Sequence, residues 1–408
     1  MSRFIPEIVN ADITTQDSPA IDAFGRWRVS NPQTLFDSKQ IYDAEPLLWD
    51  DAATSGAGTG SSHSADTAST TISVSASTAG VRVRQTFMRF NYQPGKSQLI
   101  MMTGVLDKTG GGTGITRRLG YFDSNNGLFF EDAAGTYKVG VRTHTSGSAV
   151  DTTVAQTSWN LDKMNGSGSS GITLDFTKTQ IFVIDFEWLG VGRVRFGFVV
   201  NGLIYYCHQV LNANVLDKVY MSDPNLPLRY EITNDGTGVA STLECICGTV
   251  QSEGGQAATA KVRSVSTSGT HVDANSIGTL YAVVGLRLNS SYLSASVEEV
   301  LIAMFSKTAD NFEWSLWFNP TVAGTFNYSQ VTSSAVDAAL GATANTVTGG
   351  TLIQCGFSTS SNAALTPALG RRRLGVAING TRDTIVLCVR PFSTNADIEG
   401  AMTWREYR

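Results

Sequence analysis

Long apolar runs, basic stretches and extended charge clusters are missing from this sequence of 408 residues. No segment approaches the roughly 18 consecutive apolar residues that a membrane-spanning helix needs. Charged residues make up 16% of the chain and give a formal net charge of −5, without the basic stripe that marks nucleic-acid-binding surfaces. Residues 1–7 contain no apolar core of a secretory signal. We therefore expect neither a membrane nor a nucleic acid as a partner.

Metal-ligating residues are few and poorly spaced. The five cysteines form an odd set in a long chain without a visible signal sequence, which favours reduced, mostly buried thiols over a disulfide framework. One residue separates Cys245 from Cys247, whereas structural zinc sites place about two to four residues between paired ligands. The four histidines are scattered singly along the chain. The sequence therefore predicts no metal site and no cofactor.

Strand patterns dominate what is present. Large apolar residues recur at every second position over residues 180–189 (Phe182, Ile184, Phe186 and Trp188). Asn201-Gly202 then follows as a typical two-residue hairpin turn. A second such signal, Asn126-Gly127, separates two further aromatic runs. These features predict antiparallel sheets with one buried face. The only helical pattern is short, around residues 334–340, and it lies inside a loop-like stretch at 321–350.

The predicted fold is therefore all-β, with two antiparallel, jelly-roll-like β-sandwiches preceded by an extended N-terminal arm. Composition divides the chain into the arm over residues 1–50, a flexible Ser/Thr/Gly-rich connector or loop over 51–70, a first sandwich over 71–255 and a second over 256–408. The aromatic residues of the arm are expected to bury against another chain. These residues are Phe24, Trp27, Phe36 and Trp49.

One strand carries a candidate catalytic pair. Residues 183–190 read Val-Ile-Asp-Phe-Glu-Trp-Leu-Gly, which resembles the active-site strand of the jelly-roll glycoside hydrolases that cleave β-glucans and xyloglucan. That motif, Glu-x-Asp-x-Glu, projects three carboxylates from one face because side chains alternate along a strand. The outer two carboxylates act as nucleophile and general acid. Asp185 and Glu187 match the second and third carboxylates, but Val183 replaces the nucleophile.

The alternative interpretation of this pair is structural. Asp185 and Glu187 lie across a predicted hairpin from Arg193 and Arg195, where they are expected to form cross-strand ion pairs on the less buried face. Since the nucleophile is missing, we predict no catalytic residue and no enzymatic activity. These four residues are assigned instead to ion pairs or to an interface.

Two further features suit binding. The run Arg371, Arg372 and Arg373 fits contact with phosphates or an acidic partner, a solvated loop, or one half of an intersubunit ion pair. Exposed tryptophans would suit stacking on a glycan, although Trp314 and Trp317 lie on opposite faces of one predicted strand. The candidates for such a platform are Trp159, Trp188, Trp314, Trp317 and Trp404.

Six blocks of sequence stand out between residues 22 and 255. They are residues 22–39 (DAFGRWRVSNPQTLFDSK), 89–98 (RFNYQPGKSQ), 120–130 (GYFDSNNGLFF), 159–171 (WNLDKMNGSGSSG), 188–195 (WLGVGRVR) and 247–255 (CGTVQSEGG). As a group they resemble a family of tailed-bacteriophage virion structural proteins. Residues 256–408 match that family only loosely, chiefly in the final Trp404-Arg405-Glu406. The resemblance implies a place in a virion and does not imply a reaction.

What the resemblance implies is a non-enzymatic structural component of a tailed-phage virion, assembled in the host bacterial cytoplasm. The N-terminal arm would dock onto the capsid, neck or tail, and the chain would form a homo-oligomer because symmetric particles present symmetric sites. Its partners would be other virion proteins and further copies of itself. The alternative function is a glycan-binding protein on the virion surface, which recognises a surface glycan of the host as its receptor.

Overall fold

The computed structural model describes residues 20–109, 112–255, 260–308, 310–359, 364–367, 373–393 and 396–408. Within these residues, the one helical element is a short 3-10 turn at Gln156–Ser158, and the other regular elements are β-strands. No helix in this described part is long and apolar enough to cross a membrane. The strands pair in antiparallel ladders, as Gln180–Phe186 does with Val194–Val200, Ile115–Phe122 with Gly127–Ala133, and Tyr281–Leu288 with Thr384–Pro391. The predicted all-β, antiparallel class is confirmed.

Strands of the first sandwich form two sheets. In chain order they are β1 (Gln33–Lys39), β2 (Trp49–Gly56), β3 (Thr59–Ser64), β4 (Ser69–Val74), β5 (Gly80–Thr86), β6 (Gln98–Val105), β7 (Ile115–Phe122), β8 (Gly127–Ala133), β9 (Thr136–Thr143), β10 (Val150–Ala155), β11 (Gln180–Phe186), β12 (Val194–Val200), β13 (Leu203–Val210), β14 (Leu228–Asn234) and β15 (Ser241–Ser252). The eight-stranded sheet has the order β13-β12-β11-β6-β15-β4-β3, with β1 also paired to β15. The seven-stranded sheet has the order β10-β9-β8-β7-β14-β5-β2.

Strands after residue 256 form separate sheets. They are β16 (Lys261–Ser266), β17 (Val272–Ala274), β18 (Tyr281–Leu288), β19 (Ser296–Ser306), β20 (Phe312–Phe318), β21 (Thr321–Val322), β22 (Ser329–Gln330), β23 (Val336–Leu340), β24 (Val347–Thr348), β25 (Thr351–Ser358), β26 (Ala364–Pro367), β27 (Thr384–Pro391) and β28 (Ala396–Tyr407). In the described residues, one sheet has the order β16-β28-β19-β26 with β17 also on β28. The facing sheet has the order β22-β23-β18-β27-β20-β25, and β21 pairs with β24.

The alternation of residues along β11 places different side chains on its two faces. Phe182, Ile184 and Phe186 point into the core of the first sandwich. Phe130 of β8 meets them from the facing sheet, with its ring centroid 5.1 Å from that of Phe182. Burial of each large apolar side chain contributes roughly 1.5–3 kcal/mol. Asp185 consequently lies on the outer face of the eight-stranded sheet.

Both predicted hairpins are present, but only Asn201-Gly202 forms a two-residue turn. Residues 123–126 link β7 to β8, and Gly127 already pairs with Phe122. Asn201 and Gly202 link β12 to β13 with φ angles of 53° and 81°, the left-handed pair that a two-residue hairpin turn requires. Gly127 opens β8 at a φ of 148°. A Cβ atom there would lie 2.0 Å from the Cβ of Phe122, so only glycine fits this close approach.

The predicted connector over residues 51–70 is the first departure from expectation. The structure places β2, β3 and the start of β4 there. β2 pairs with β5, and β4 pairs with β15. Ladder hydrogen bonds to neighbouring strands order this segment, although its small polar side chains resemble a linker in composition alone.

Residues 334–340 also differ from the prediction. They are not helical, because Val336–Leu340 form β23 and pair with β18. The loop-like stretch at 321–350 likewise contains the short strands β21 to β24. Helical propensity is weak over a few residues, so pairing with an existing strand decides the conformation.

Hydrogen bonds connect the two sandwiches. The Val376 N–H donates to Phe87 O at 2.9 Å, and the Ile378 N–H donates to Asp50 Oδ2 at 2.6 Å. A side chain at Gly375 would meet the backbone of Phe87 at 2.7 Å, so glycine permits this approach. The second sandwich has its own core, which includes the fully buried Trp404. The domain boundary at 255/256 stays a prediction.

Candidate functional site

Two of the predicted docking residues lie in the chain's own core. Phe36 of β1 and Trp49 of β2 pack edge to face with centroids 6.0 Å apart, and Trp49 Nε1 donates to Ser38 Oγ at 2.8 Å. Their assignment to a partner interface is therefore corrected. β1 pairs with β15 and brings Phe36 between the sheets, where it is unavailable to another chain. Trp27 is 61% exposed and Phe24 is half-buried.

The N-terminal segment instead docks on this chain. Residues 20–28, which we name the strap, lie against the outer face of the eight-stranded sheet; residues 1–19 of the predicted arm are outside the described residues. Ile21 and Ala23 are buried. Arg195 Nη2 donates to Ile21 O at 2.8 Å, and Arg193 Nε donates to Ala23 O at 3.0 Å. Guanidinium groups at the start of β12 therefore hold the strap through its backbone carbonyls.

Asp185 lies at the centre of this contact and is fully buried. Its carboxylate accepts four hydrogen bonds, from Arg28 Nη2 at 2.5 Å, Arg195 Nη2 at 2.5 Å, Tyr206 Oη at 2.6 Å and Ser97 Oγ at 2.7 Å. Burial acts to raise the pKa of Asp185, but the two guanidiniums and two hydroxyls outweigh burial and hold this pKa below its usual value. Asp185 is therefore an anion at neutral pH, with both oxygens engaged.

Glu187 takes a different position, just beyond the end of β11. Its Oε1 accepts a hydrogen bond from the Arg193 backbone N–H at 3.0 Å, and burial raises the pKa of its carboxyl group. Asp185 and Arg195 are direct cross-strand partners and form an ion pair. The prediction that Asp185 lies on the less buried face is wrong, because the strap covers this part of the sheet and Asp185 is fully buried.

This arrangement ties segments of one chain together and offers no access to a substrate. Val183, at the position of the missing nucleophile, is fully buried in a small apolar cluster with Leu99 and Tyr206. Asp185 has no exposed surface. Arg28 adds an ion pair to Glu253, beyond the end of β15. The chemistry of the cluster is charge pairing that fixes the strap to the sheet.

The arginine run near the C-terminus is only partly described. Arg371 and Arg372 lie outside the described residues. Arg373 is half-buried, and its backbone forms an isolated antiparallel bridge with Glu298. The contact of this run with a partner stays a prediction.

Most tryptophans of the predicted glycan platform are core residues. Trp314 and Trp317 do lie on opposite faces, since Trp314 is in the main core of the second sandwich and Trp317 packs on a separate small cluster. Trp188 is half-buried at the surface of the first sandwich. The fully enclosed members are Trp159, Trp314 and Trp404.

Trp188 lies in a cleft of about 350 Å³ where the two sandwiches meet, which we name the junction cleft. The first sandwich contributes Trp188 and residues 223–225, and the second contributes Tyr292 and Arg408. The guanidinium carbon of Arg408 lies 5.2 Å from the centroid of the Tyr292 ring. Aromatic and charged groups from distant parts of the chain are thus brought to one concave surface.

Asp223 supplies the carboxylate of the junction cleft. Its Oδ1 accepts a hydrogen bond from the Asn225 N–H at 2.9 Å. Burial raises the pKa of Asp223, partly offset by a hydrogen bond from Ser294 of the second sandwich. The Trp188 indole is held in place by its Nε1–H, which donates to Met221 O at 3.0 Å. The Trp188 and Asp223 side chains are therefore held in place by hydrogen bonds.

Sequence reasoning identified Trp188 as a candidate but missed the residues around it. Asp223-Pro224-Asn225 carries only a turn signal, and Tyr292 and Arg408 belong to the other sandwich. Because these residues are distant in sequence, no local pattern joins them. An aromatic residue or a polar turn can be recognised in the sequence at 188 and at 223–225. The sequence does not show that these residues lie close together.

Two larger cavities on the first sandwich are less suited to a polar ligand. A groove of about 500 Å³ beside β9, β10 and β13 is lined mainly by Val, Leu and Thr side chains. A cavity of about 520 Å³ beside Tyr206 contains Asp162. That carboxylate already accepts hydrogen bonds from the backbone N–H groups of Met164 and Ser170, both at 2.7 Å. The groove also contains the exposed Asp217, but its two aromatic rings, Phe196 and Tyr220, are buried in the core of the first sandwich.

Comparison with known proteins assigns no family. No protein-family model and no curated protein matches the sequence. Among solved structures, the chain is similar to endo-1,3-β-glucanase from Streptomyces sioyaensis (12% identity, 55% of this chain, 98% of that chain, TM-score 0.36). It is also similar to the legume lectin-like domain from Entamoeba histolytica (9% identity, 53% of this chain, 95% of that chain, TM-score 0.32). A third similar structure is the CBM2 module of Lactobacillus casei BL23 phage J-1 evolved Dit (7% identity, 54% of this chain, 95% of that chain, TM-score 0.36). The fold class follows from the strand ladders of this chain itself.

Proposed function

We propose that this chain is a non-enzymatic β-sandwich protein of a tailed-phage particle, and that it binds a host surface glycan in the junction cleft. The lining of that cleft carries the proposal, because Trp188 and Tyr292 lie there beside Asp223, Asn225 and Arg408. A concave site with apolar walls and a few fixed polar groups is the usual form of a small-ligand site.

A saccharide matches this lining in two ways. The C–H face of a sugar ring is apolar and packs against an indole or phenol ring. Its neighbouring hydroxyls pair with planar groups, so the Asp223 carboxylate accepts from them and the Arg408 guanidinium donates to them. The volume of about 350 Å³ lies within the roughly 300–1,000 Å³ that is usual for small-ligand sites.

Placement on a phage particle and the lack of catalysis have separate support. The particle is supported by the sequence blocks between residues 22 and 255 that resemble virion structural proteins. The non-enzymatic role is supported by Asp185, whose carboxylate is enclosed by Arg28, Arg195 and the strap. A binding role uses the junction cleft and leaves this cluster as a structural element.

The cleft is tested by titrating the full chain with oligosaccharides selected on an array of host surface glycans. Asp223→Asn replaces a charged hydrogen-bond acceptor with a neutral one. A hydrogen bond to a charged group contributes roughly 1.5–3 kcal/mol, so the Kd for the glycan should rise about tenfold or more. Trp188→Ala removes the stacking surface and should abolish detectable binding. Isothermal titration calorimetry measures both effects.

Matched variants separate the cleft from the rest of the surface. Asp175→Asn and Trp27→Ala remove the same groups from exposed positions outside the cleft, and Kd should not change. Thermal unfolding checks that Trp188→Ala stays folded, since its indole also contacts Met221. The proposal fails if no host glycan binds, or if binding survives both Asp223→Asn and Trp188→Ala.

The exposed side chains of the strap favour a second function, structural docking onto another virion protein. Trp27 is 61% exposed and the adjoining Val29 is 89% exposed, and large exposed apolar groups are common anchors of protein interfaces. This proposal keeps the predicted docking region but narrows it to the strap. Phe36 and Trp49 take no part in it.

Docking predicts that Trp27→Ala is incorporated into particles about thirtyfold less than wild type, because an interface anchor is worth roughly 2 kcal/mol. Quantitative mass spectrometry of particles from a host that supplies the variant measures incorporation. Leu203→Ala, at a position 59% exposed, is the control and should be incorporated normally. Equal incorporation of Trp27→Ala and wild type would exclude the strap as the docking element.

A further inference from the structure

A cluster of ionisable side chains lies on the outer face of the second sandwich. Asp273 and Asp397 are direct cross-strand partners in the β17–β28 pair. His271 precedes Asp273 by two residues, so both lie on the same face. His271 Nε2 lies 2.8 Å from Asp273 Oδ1 and 3.6 Å from Asp397 Oδ2. The three ligand-type atoms thus converge on one point above the sheet.

The charges of the cluster favour a cation. Two carboxylates directly opposite each other on adjacent strands repel. Glu399, on the same face of β28, adds a third carboxylate, and the hydrogen bond from Thr267 lowers its pKa. Lys307 Nζ lies 3.9 Å from Glu399 Oε1 and 3.4 Å from His271 Nδ1. This single ammonium group leaves the carboxylates in excess.

We propose that His271, Asp273 and Asp397 bind a divalent metal ion of the zinc class, through Nε2 and one oxygen of each carboxylate. Zinc bonds to such atoms are about 2.0–2.2 Å long, so tetrahedral ligand atoms lie roughly 3.3 Å apart. The distances of 2.8 and 3.6 Å from Nε2 lie on either side of this value. Small rotations of side chains suffice, and an imidazole ligand selects zinc over calcium or magnesium.

The fourth position of this site is open. All three side chains are partly exposed, from 22% for Asp397 to 44% for Asp273. A site with three protein ligands therefore leaves room for a water molecule or for an external donor. The proposal is independent of the glycan cleft, which lies elsewhere on other residues.

Lys307 competes with the metal ion. When Nε2 binds zinc, a neutral imidazole carries its proton on Nδ1, which then faces the Lys307 ammonium. Lys307 must turn away, and its side chain is 42% exposed and already near Glu399. Removing this positive charge should therefore increase zinc affinity, an effect opposite in sign to the loss of a ligand.

The test is calorimetric titration of the full chain with zinc chloride, in a Cys355→Ser background because Cys355 is an exposed thiol. We expect one zinc ion per chain. His271→Ala and Asp397→Asn should each raise Kd at least about tenfold, and Lys307→Met should lower it.

Two control variants test whether the change in zinc affinity is specific to this cluster. His144→Ala and Asp175→Asn remove the same groups elsewhere and should leave Kd unchanged. Asp397→Asn should remain folded in chelator, since it relieves the repulsion with Asp273. The proposal is overturned if zinc does not bind, if His271→Ala and Asp397→Asn bind it as wild type does, or if calcium binds equally well.

Discussion

Asp185→Ala should lower the free energy of unfolding by roughly 3–5 kcal/mol, the usual effect of removing one partner from a buried ion pair. The change leaves the Arg28 and Arg195 guanidiniums without their shared carboxylate. Arg195 is fully buried, so water cannot replace the lost charge. The strap loses its central anchor at the same time.

Urea unfolding at neutral pH, followed by tryptophan fluorescence, measures this loss. Asp175→Ala removes an exposed carboxylate and should stay within about 0.5 kcal/mol of wild type. Limited proteolysis should cut near the strap in Asp185→Ala and spare wild type. A loss below about 1 kcal/mol, within the range of an exposed pair, would show that Asp185 does not hold the strap.

The same variant has a characteristic pH dependence. Because the folded-state pKa of Asp185 is lowered, its contribution to stability is present above the unfolded-state pKa of about 3.9. That contribution is lost as the pH falls through the lower folded-state value. The stability difference between wild type and Asp185→Ala should therefore be constant near neutral pH and narrow only below about pH 3.9.

Phe130→Ala should cost roughly 3–5 kcal/mol as well, for a different reason. The Phe130 ring lies at the centre of the first core, with centroids 5.1 Å from Phe182, 5.5 Å from Phe196 and 5.1 Å from Phe198. Removing it opens a cavity between the sheets that surrounding strands cannot close. Lost contacts and the cavity add to the loss of buried apolar area.

Urea unfolding also measures this prediction, with an exposed phenylalanine as the matched control. Phe357 of β25 is 75% exposed, so Phe357→Ala should change the free energy of unfolding by less than about 0.5 kcal/mol. Similar losses for Phe130→Ala and Phe357→Ala would contradict the placement of Phe130 at the centre of the core.

Local sequence patterns predicted the sheets well where strands are long and turns are short. Residues 180–210 are the clearest example, since the alternation over β11, the Asn201-Gly202 turn and β13 all appear as expected. Period-2 alternation and left-handed turn residues act within a few residues. For the same reason the sequence predicted that Asp185 faces away from Phe186 and lies across the hairpin from Arg193 and Arg195; the structure pairs it with Arg195.

Composition gave wrong predictions where a segment's structure depends on contacts with residues far away in the sequence. Residues 51–70 have the small polar side chains of a linker, yet β2 to β4 obtain their hydrogen bonds from β5 and β15. Phe36 and Trp49 resemble anchors for a partner because they follow no clear periodicity. Phe36 is buried because β1 pairs with β15, which is more than 200 residues away in the chain, and Trp49 is positioned by the pairing of β2 with β5.

The sequence by itself determined the strand class, the turns, and which residues of each strand share a face, because steric preference and alternation are local properties. Only the tertiary structure decided that the strap covers Asp185, that Asp223 and Trp188 share a cleft with Tyr292, and that Asp273 meets Asp397. Each of these sites joins residues from separate strands or loops. Their proximity depends on sheet order and on packing of the sandwiches, which no short pattern encodes.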